Sequence, residues 1–171
     1  MQLREIDKAT YRKRMNIVLA GTVIVLLVTS LTVSNTLIAA FGSDIDGDNF
    51  WWNITGVLAG LSVIGLVYKI FGKSPFMAEV NYVRSLKAEM NRIYRSSKKI
   101  NAALEQNDKT AIIISYFNLQ ASKQVYQLDN NTLTMDELNE KIRVLDAQIE
   151  SLGLEVTTDD YRPELVKQLS A

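Results

Sequence analysis

The chain contains no cysteine and no histidine among its 171 residues. The first absence excludes disulfides, thiolate metal sites and cysteine lipidation, and leaves the redox compartment unreadable from cysteine usage. The second removes the commonest general base and the commonest transition-metal ligand. Any catalysis would fall to carboxylates, lysine, tyrosine or serine. Charge is also missing, but only in places. Residues 15–43 and 49–68 carry none, giving uncharged runs of 29 and 20 residues in a chain whose formal net charge is zero.

Both runs reach the roughly 20 residues needed to cross a hydrocarbon core about 30 Å thick. The competing reading, two buried helices of a soluble core, fails because what remains of the chain is too small to cover them. The sequence therefore reads as a membrane protein. Arg12, Lys13 and Arg14 precede the first run as the basic region of a signal peptide would, but a signal core is usually about 7 to 15 residues long. The run is expected to stay as an uncleaved anchor.

The zero net charge is a balance of unequal parts. Residues 1–14, 42–49, 69–100 and 101–171 carry net charges of +3, −3, +6 and −6 in turn. Lysine and arginine near membrane ends are retained on the cytoplasmic side. Both termini are thus expected on the cytoplasmic side, with the aspartate loop outside. Trp51 and Trp52 serve as outer interface anchors, with Tyr68 and Phe71 at the inner exit. In the first span Ser30, Thr32, Ser34, Asn35 and Thr36 are polar for a lone helix in lipid, and such groups turn toward a neighbour. Gly56 and Gly60 form a GxxxG in the second span, extended by Ala59 and Gly65. This predicts close packing, either as an antiparallel hairpin or against a second copy or another subunit.

Within the loop, Asp44, Asp46 and Asp48 match positions 1, 3 and 5 of an EF-hand calcium loop. Position 6 is Asn49 instead of glycine, and position 12 is Thr55 instead of a bidentate glutamate. The second half would also run into the second span. The aspartates are better read as the acidic turn that marks the outside, with Gly47 and Asn49 suited to the bend. No metal and no cofactor is expected.

Past Gly72, SP at 74–75 reads as an N-cap followed by proline at the first helical position. Val83, Leu86, Met90, Ile93, Tyr94, Ile100 and Leu104 then recur over an arc of about 120° on one helix. Arg84, Lys87, Arg92, Arg95, Lys98 and Lys99 fill the opposite arc. That basic face is read three ways: as solvated surface, as a contact for anionic lipid headgroups, or as a contact for an acidic protein partner, the later helices included. Nucleic acid is not indicated, since no binding motif accompanies the charges.

A second helix is expected over 109–128, with Ile113 or Ile114, Phe117, Ala121, Val125 and Leu128 on one face, followed by a turn at LDNNT. TMDE at 134–137 reads as a capping box for a third helix. Leu138, Ile142, Leu145, Ile149 and Leu152 follow at spacings of a bundle seam, with Gly153 as the stop. A short last helix is expected over 163–169. There is no internal repeat and no low-complexity tract.

The stretches SPFMAEVNYVRSLKAEMNRIYRSSKKI and YQLDNNTLTMDEL, with the opening MQLREIDKATYRKRMNIVL and the GDNF of the loop, resemble a family of small bacterial inner-membrane proteins grouped only as a domain of unknown function. The resemblance covers nearly the whole chain. It implies a two-span anchor with a cytoplasmic helical domain, largely in Gram-negative bacteria, and implies no reaction, ligand or catalytic residue.

The expected architecture is all-α. It comprises a cytoplasmic segment 1–14, transmembrane helices 15–41 and 50–71 around a short periplasmic loop 42–49, and a cytoplasmic domain 74–171. That domain is expected to be an antiparallel bundle of about three helices plus a short C-terminal one. The function that fits is a non-enzymatic membrane-anchored interaction or scaffold module, bound to the lipid bilayer and to a protein partner or its own copies, with no small-molecule substrate. A channel or transporter subunit is the alternative, supported only by the polar outer half of span one. An enzyme is the third choice: Asp129, Asp136, Asp159 and Asp160 are the available acids, but Asp136 and Glu137 suit a helix's first turn, and Tyr161 and Arg162 read as a turn before Pro163.

Overall fold

A computed structural model describes residues 1–42, 49–131 and 133–170. Among these the structure is all helical, with no strand. The order is α1 (Lys8–Phe41), α2 (Phe50–Phe71), α3 (Ala78–Arg95), α4 (Ser97–Glu105), α5 (Lys109–Asp129), α6 (Met135–Ser151) and α7 (Pro163–Ser170). Short 3-10 turns at Pro75–Met77 and Thr158–Asp160 link them. The candidate calcium aspartates Asp44, Asp46 and Asp48, and Gly47 with them, lie outside the described residues.

The chain divides into two compact units, Arg12–Asn81 and a second made of Met1–Tyr11 together with Tyr82–Ala171. The first unit holds α2 and nearly all of α1. Both helices are long and apolar enough to cross a membrane, with mean hydropathies of 2.4 and 1.9 in their most apolar windows, of which only 11% is buried in each. Core helices of a soluble fold bury such residues, whereas these two helices leave most of theirs exposed.

The second unit is a helical bundle whose core includes Leu86, Ile93, Ile100, Ala111, Ile114, Phe117, Ala121, Val125, Tyr161 and Val166. Helix α5 is central, contacting α4, α6 and α7. The sequence explains its limits. The Asp108 side chain caps it by accepting from the Ala111 N–H at 2.8 Å, and left-handed Asn130 (φ 58°) ends it. Helix α6 ends as expected at Gly153, at φ +63°. The Gly153 N–H reaches the Glu150 carbonyl and the Leu154 N–H the Ile149 carbonyl, which is a Schellman closure.

Several sequence expectations are corrected. The long amphipathic helix is two helices, broken at Ser96 (φ −100°, ψ 6°). Its apolar row lapses there, because Ser97 stands where a buried residue would follow Ile93, and serine competes for nearby backbone groups. Tyr94, placed on the apolar face, is 74% exposed. Thr134 precedes α6 without any side-chain capping bond. Its expected partner Glu137 instead accepts from Lys141 Nζ at 2.6 Å. The capping box occurs elsewhere, at Thr157 and Asp160, where the Asp160 carboxylate accepts from both the N–H and the hydroxyl of Thr157. Those bonds hold the Asp160 carboxyl below the usual aspartate range. Ser74 precedes Pro75 as expected, but makes no side-chain cap and leads into the 3-10 turn.

The start of the chain joins the bundle: Met1 and Leu3 pack on its core and Tyr11 is 1% exposed. Asp7 starts α1 by accepting the Thr10 N–H at 2.6 Å. This places Tyr11 one turn in, at the last residue assigned to the bundle unit.

Candidate functional site

In the first unit, Gly56 and Gly60 are buried and allow α2 to approach α1. A Cβ on Gly56 would collide with the Ser34 hydroxyl and the Ser30 carbonyl, and one on Gly60 would lie 2.7 Å from Ser30 Oγ. Serines four apart thus face glycines four apart, a small-residue contact. The Ser34 hydroxyl donates to the Trp52 and Asn53 carbonyls at 3.4 and 3.5 Å. Asn35 and Thr36, expected to turn toward a neighbour, are exposed. They lie on a different face, and the Thr36 hydroxyl is satisfied by the Thr32 carbonyl of its own helix. Gly65 takes no part in this contact, since a Cβ there meets nothing within 4 Å. Trp51 is 70% exposed, while Trp52 lies beside Phe41 with ring centroids 5.7 Å apart.

These glycines are expected to respond differently to substitution. Gly56→Val should destabilise the α1–α2 contact by about 1–3 kcal/mol through overpacking, whereas Gly65→Val should be nearly neutral. Thermal unfolding of the two detergent-solubilised variants checks this; equal melting temperatures would show that the contact is not made.

The bundle unit carries the basic residues, and it does not present all six alike. Lys87 Nζ lies 2.7 Å from Asp129 Oδ2. Arg92 donates to Glu89 Oε1 at 2.8 Å and also to the Pro163 carbonyl, with its Nε buried and unpartnered among the described residues. Lys87, itself exposed, and Arg92 are thus engaged in contacts within the bundle unit. Arg84, Arg95, Lys98 and Lys99 remain exposed, the last two on α4, beyond the break.

Arg92 belongs to a cluster that sequence reasoning missed. Tyr161 is 1% exposed, stacks on Phe117 with centroids 3.9 Å apart and donates its hydroxyl to the Glu89 carboxylate. The segment read as a plain turn before Pro163 is thus a clamp on α3 and α5. Burial, and then the bond to Glu89 and its charge, push the Tyr161 phenol above the ordinary 10.0, with Arg92 pulling the other way. The unfolded chain ionises this phenol near pH 10 and the folded chain only higher, so the stability it confers is complete below pH 10 and lost as pH rises further. The alkaline fall in stability should be smaller in Tyr161→Phe. Denaturant melts of both proteins across that range check it, and matching curves would contradict it.

An open groove of about 380 Å³ lies between α3–α4, α5 and α6, with Ile93, Ile100, Leu119 and Leu145 among its lining and Tyr94 and Val144 beside them. Val144 is 57% exposed. Gln148 Nε2 donates to the Leu104 carbonyl at 3.2 Å and to Asn107 Oδ1 at 2.8 Å, tying α6 to the α4–α5 turn. The groove walls combine these apolar side chains with polar ones, Ser97, Asn118 and Glu140 among them.

Of the four acids considered for catalysis, Asp159 is exposed in the 3-10 turn Thr158–Asp160. Asp129 accepts from Tyr11 and Lys87, Asp160 forms the capping box, and Asp136 sits in the first turn of α6. Among the described residues no group of three potential metal-ligating side chains occurs.

A family model described as "Protein of unknown function (DUF3087)" matches residues 1–166, and the chain belongs to this family. No curated protein and no solved structure matches it.

Proposed function

We propose that this protein is a non-enzymatic membrane-anchored interaction module, a helical bundle held at the inner face of a bacterial inner membrane by a two-helix transmembrane hairpin. One observation carries the reading: residues from before α1 and residues from after α2 build the same bundle. A bundle cannot straddle a bilayer, so an excursion that leaves it and returns through two apolar helices crosses twice. The five basic residues Arg12, Lys13, Arg14, Lys69 and Lys73 flank that excursion, which favours the cytoplasmic side for both ends. The packing of Tyr11 also supports an uncleaved anchor, since cleavage after α1 would remove a core side chain.

The exposed groove at Tyr94 and Val144 is the surface suited to a protein partner or a second copy. A photo-crosslinking side chain placed at Tyr94 or Val144 in intact cells tests this, with the exposed position Glu155 as control. The expected result is a discrete adduct from the groove positions and none from Glu155. A gently solubilised monomer with no adduct at either groove position would overturn the reading.

A further inference from the structure

Within the unit Arg12–Asn81, the close contact at Gly56 and Gly60 does not extend along both helices. A second open cavity of about 460 Å³ lies between the first half of α1 and the last half of α2, with Ile17, Gly21, Val25, Ile64, Tyr68 and Phe76 among its walls. A Cβ on Gly21 would meet nothing within 4 Å. The Thr22 hydroxyl in the wall is spent on the Val18 carbonyl at 2.7 Å, so this wall offers little to water.

The charges at that end are one-sided. Arg14 pairs with Glu79, the one carboxylate among the described residues of this unit. The Arg14 guanidinium also binds the Pro75 carbonyl at 3.1 Å and lies over the ring of Phe76, 5.6 Å from its centroid. Arg12, Lys13, Lys69 and Lys73 are exposed and make no ion pair among the described residues. Lys69 and Lys73 adjoin the lining residues Tyr68, Gly72 and Ser74 in sequence.

An apolar groove of ligand size whose lining residues adjoin the exposed cations Lys69 and Lys73 in sequence matches one occupant in both its parts, a lipid with an apolar tail and an anionic head. We infer that the groove binds one anionic phospholipid, its acyl chain along Gly21 and its headgroup phosphate among Lys69, Lys73, Arg12 and Lys13. The inference rests on the membrane reading proposed above. It makes the anchor a selective lipid site, with the cations fixing the headgroup class and the groove fixing the chain.

The test uses the full-length protein in phosphatidylcholine nanodiscs containing a minor fraction of phosphatidylglycerol, with retained lipid counted by native mass spectrometry. Wild type should keep one phosphatidylglycerol per chain. Gly21→Leu, which fills the groove, should keep none, while Gly65→Leu, which also projects into open space but outside the groove, should behave as wild type. Lys69→Gln with Lys73→Gln should lower the preference for phosphatidylglycerol over phosphatidylcholine by about tenfold. Equal retention in wild type and Gly21→Leu overturns the proposal, as does an unchanged preference in the double lysine variant. A shift from dimer to monomer in Gly21→Leu would assign the groove to a second copy and overturn it as well. A chain washed from membranes by alkaline carbonate overturns the membrane reading with it, whereas a chain that stays in the membrane but keeps no phospholipid overturns this inference alone.

Discussion

Replacing Tyr161 with alanine is expected to destabilise the bundle by about 3–5 kcal/mol, the range for removing a buried aromatic ring. The ring stacks on Phe117 and its hydroxyl satisfies Glu89, so truncation loses apolar burial and leaves a half-buried carboxylate short of a donor. Arg92, which holds both Glu89 and the Pro163 carbonyl, would keep part of the cluster together. Tyr161→Phe should therefore cost less, about 1–3 kcal/mol, because only the hydrogen bond is lost. Domains are stable by only about 5–15 kcal/mol, so the alanine variant should melt far earlier. Denaturant titration of the full chain in detergent checks both values. An alanine variant no worse than the phenylalanine one would show that the ring does not anchor the C-terminal segment.

Tyr11→Ala should cost a similar amount, again about 3–5 kcal/mol, although its position invites reading it as part of an N-terminal tail. The side chain is 1% exposed, and its hydroxyl donates to Asp129 Oδ1 at 3.3 Å, the carboxylate that also pairs with Lys87. The segment before it is held by Tyr82, whose hydroxyl accepts the Arg4 N–H at 2.8 Å and donates to Gln124 Oε1 at 3.0 Å. Gln124 in turn donates to the Arg4 carbonyl. Losing the Tyr11 ring should loosen this segment as well as the core. Limited proteolysis should then cut at Arg4 or Lys8 in the variant well before it does so in wild type. Unchanged cleavage would separate the N-terminal residues from the bundle and remove the main support for the proposed topology.

What the sequence makes legible here is local. The two apolar runs become α1 and α2, and the burial of Ile114, Phe117, Ala121, Val125 and Leu128 follows the periodicity of α5. The stop at Gly153 follows from one residue's tolerance of positive φ. Contacts distant in sequence are not legible in this way. Nothing in the spacing around Tyr11 or Tyr161 announces a partner 118 or 72 residues away, and a lone tyrosine beside charges resembles surface. The basic face illustrates the same limit. A helical wheel groups Arg84, Lys87, Arg92, Arg95, Lys98 and Lys99 on one arc, but Lys98 and Lys99 lie beyond the break at Ser96, Lys87 is paired with Asp129 of α5, and Arg92 binds the distant Pro163 carbonyl as well as Glu89 of its own helix. A capping box written in residue types at 134–137 forms no bond, while TTDD at 157–160, with no apolar run after it, forms one. The groove at Tyr94 and Val144 was hidden because both read as ordinary members of helices, and only the spacing of α4, α5 and α6 opens it.

The most direct test of the account is the sidedness of the two chain ends. Because the chain has no cysteine, single cysteines at Gln2, Ser43 and Ala102 can be labelled against a clean background with a membrane-impermeant maleimide. In intact spheroplasts only Ser43→Cys should react, and Gln2→Cys and Ala102→Cys should react once the membrane is permeabilised. Opposite behaviour of positions 2 and 102 would place the two ends of one bundle on different sides of the bilayer and contradict the account.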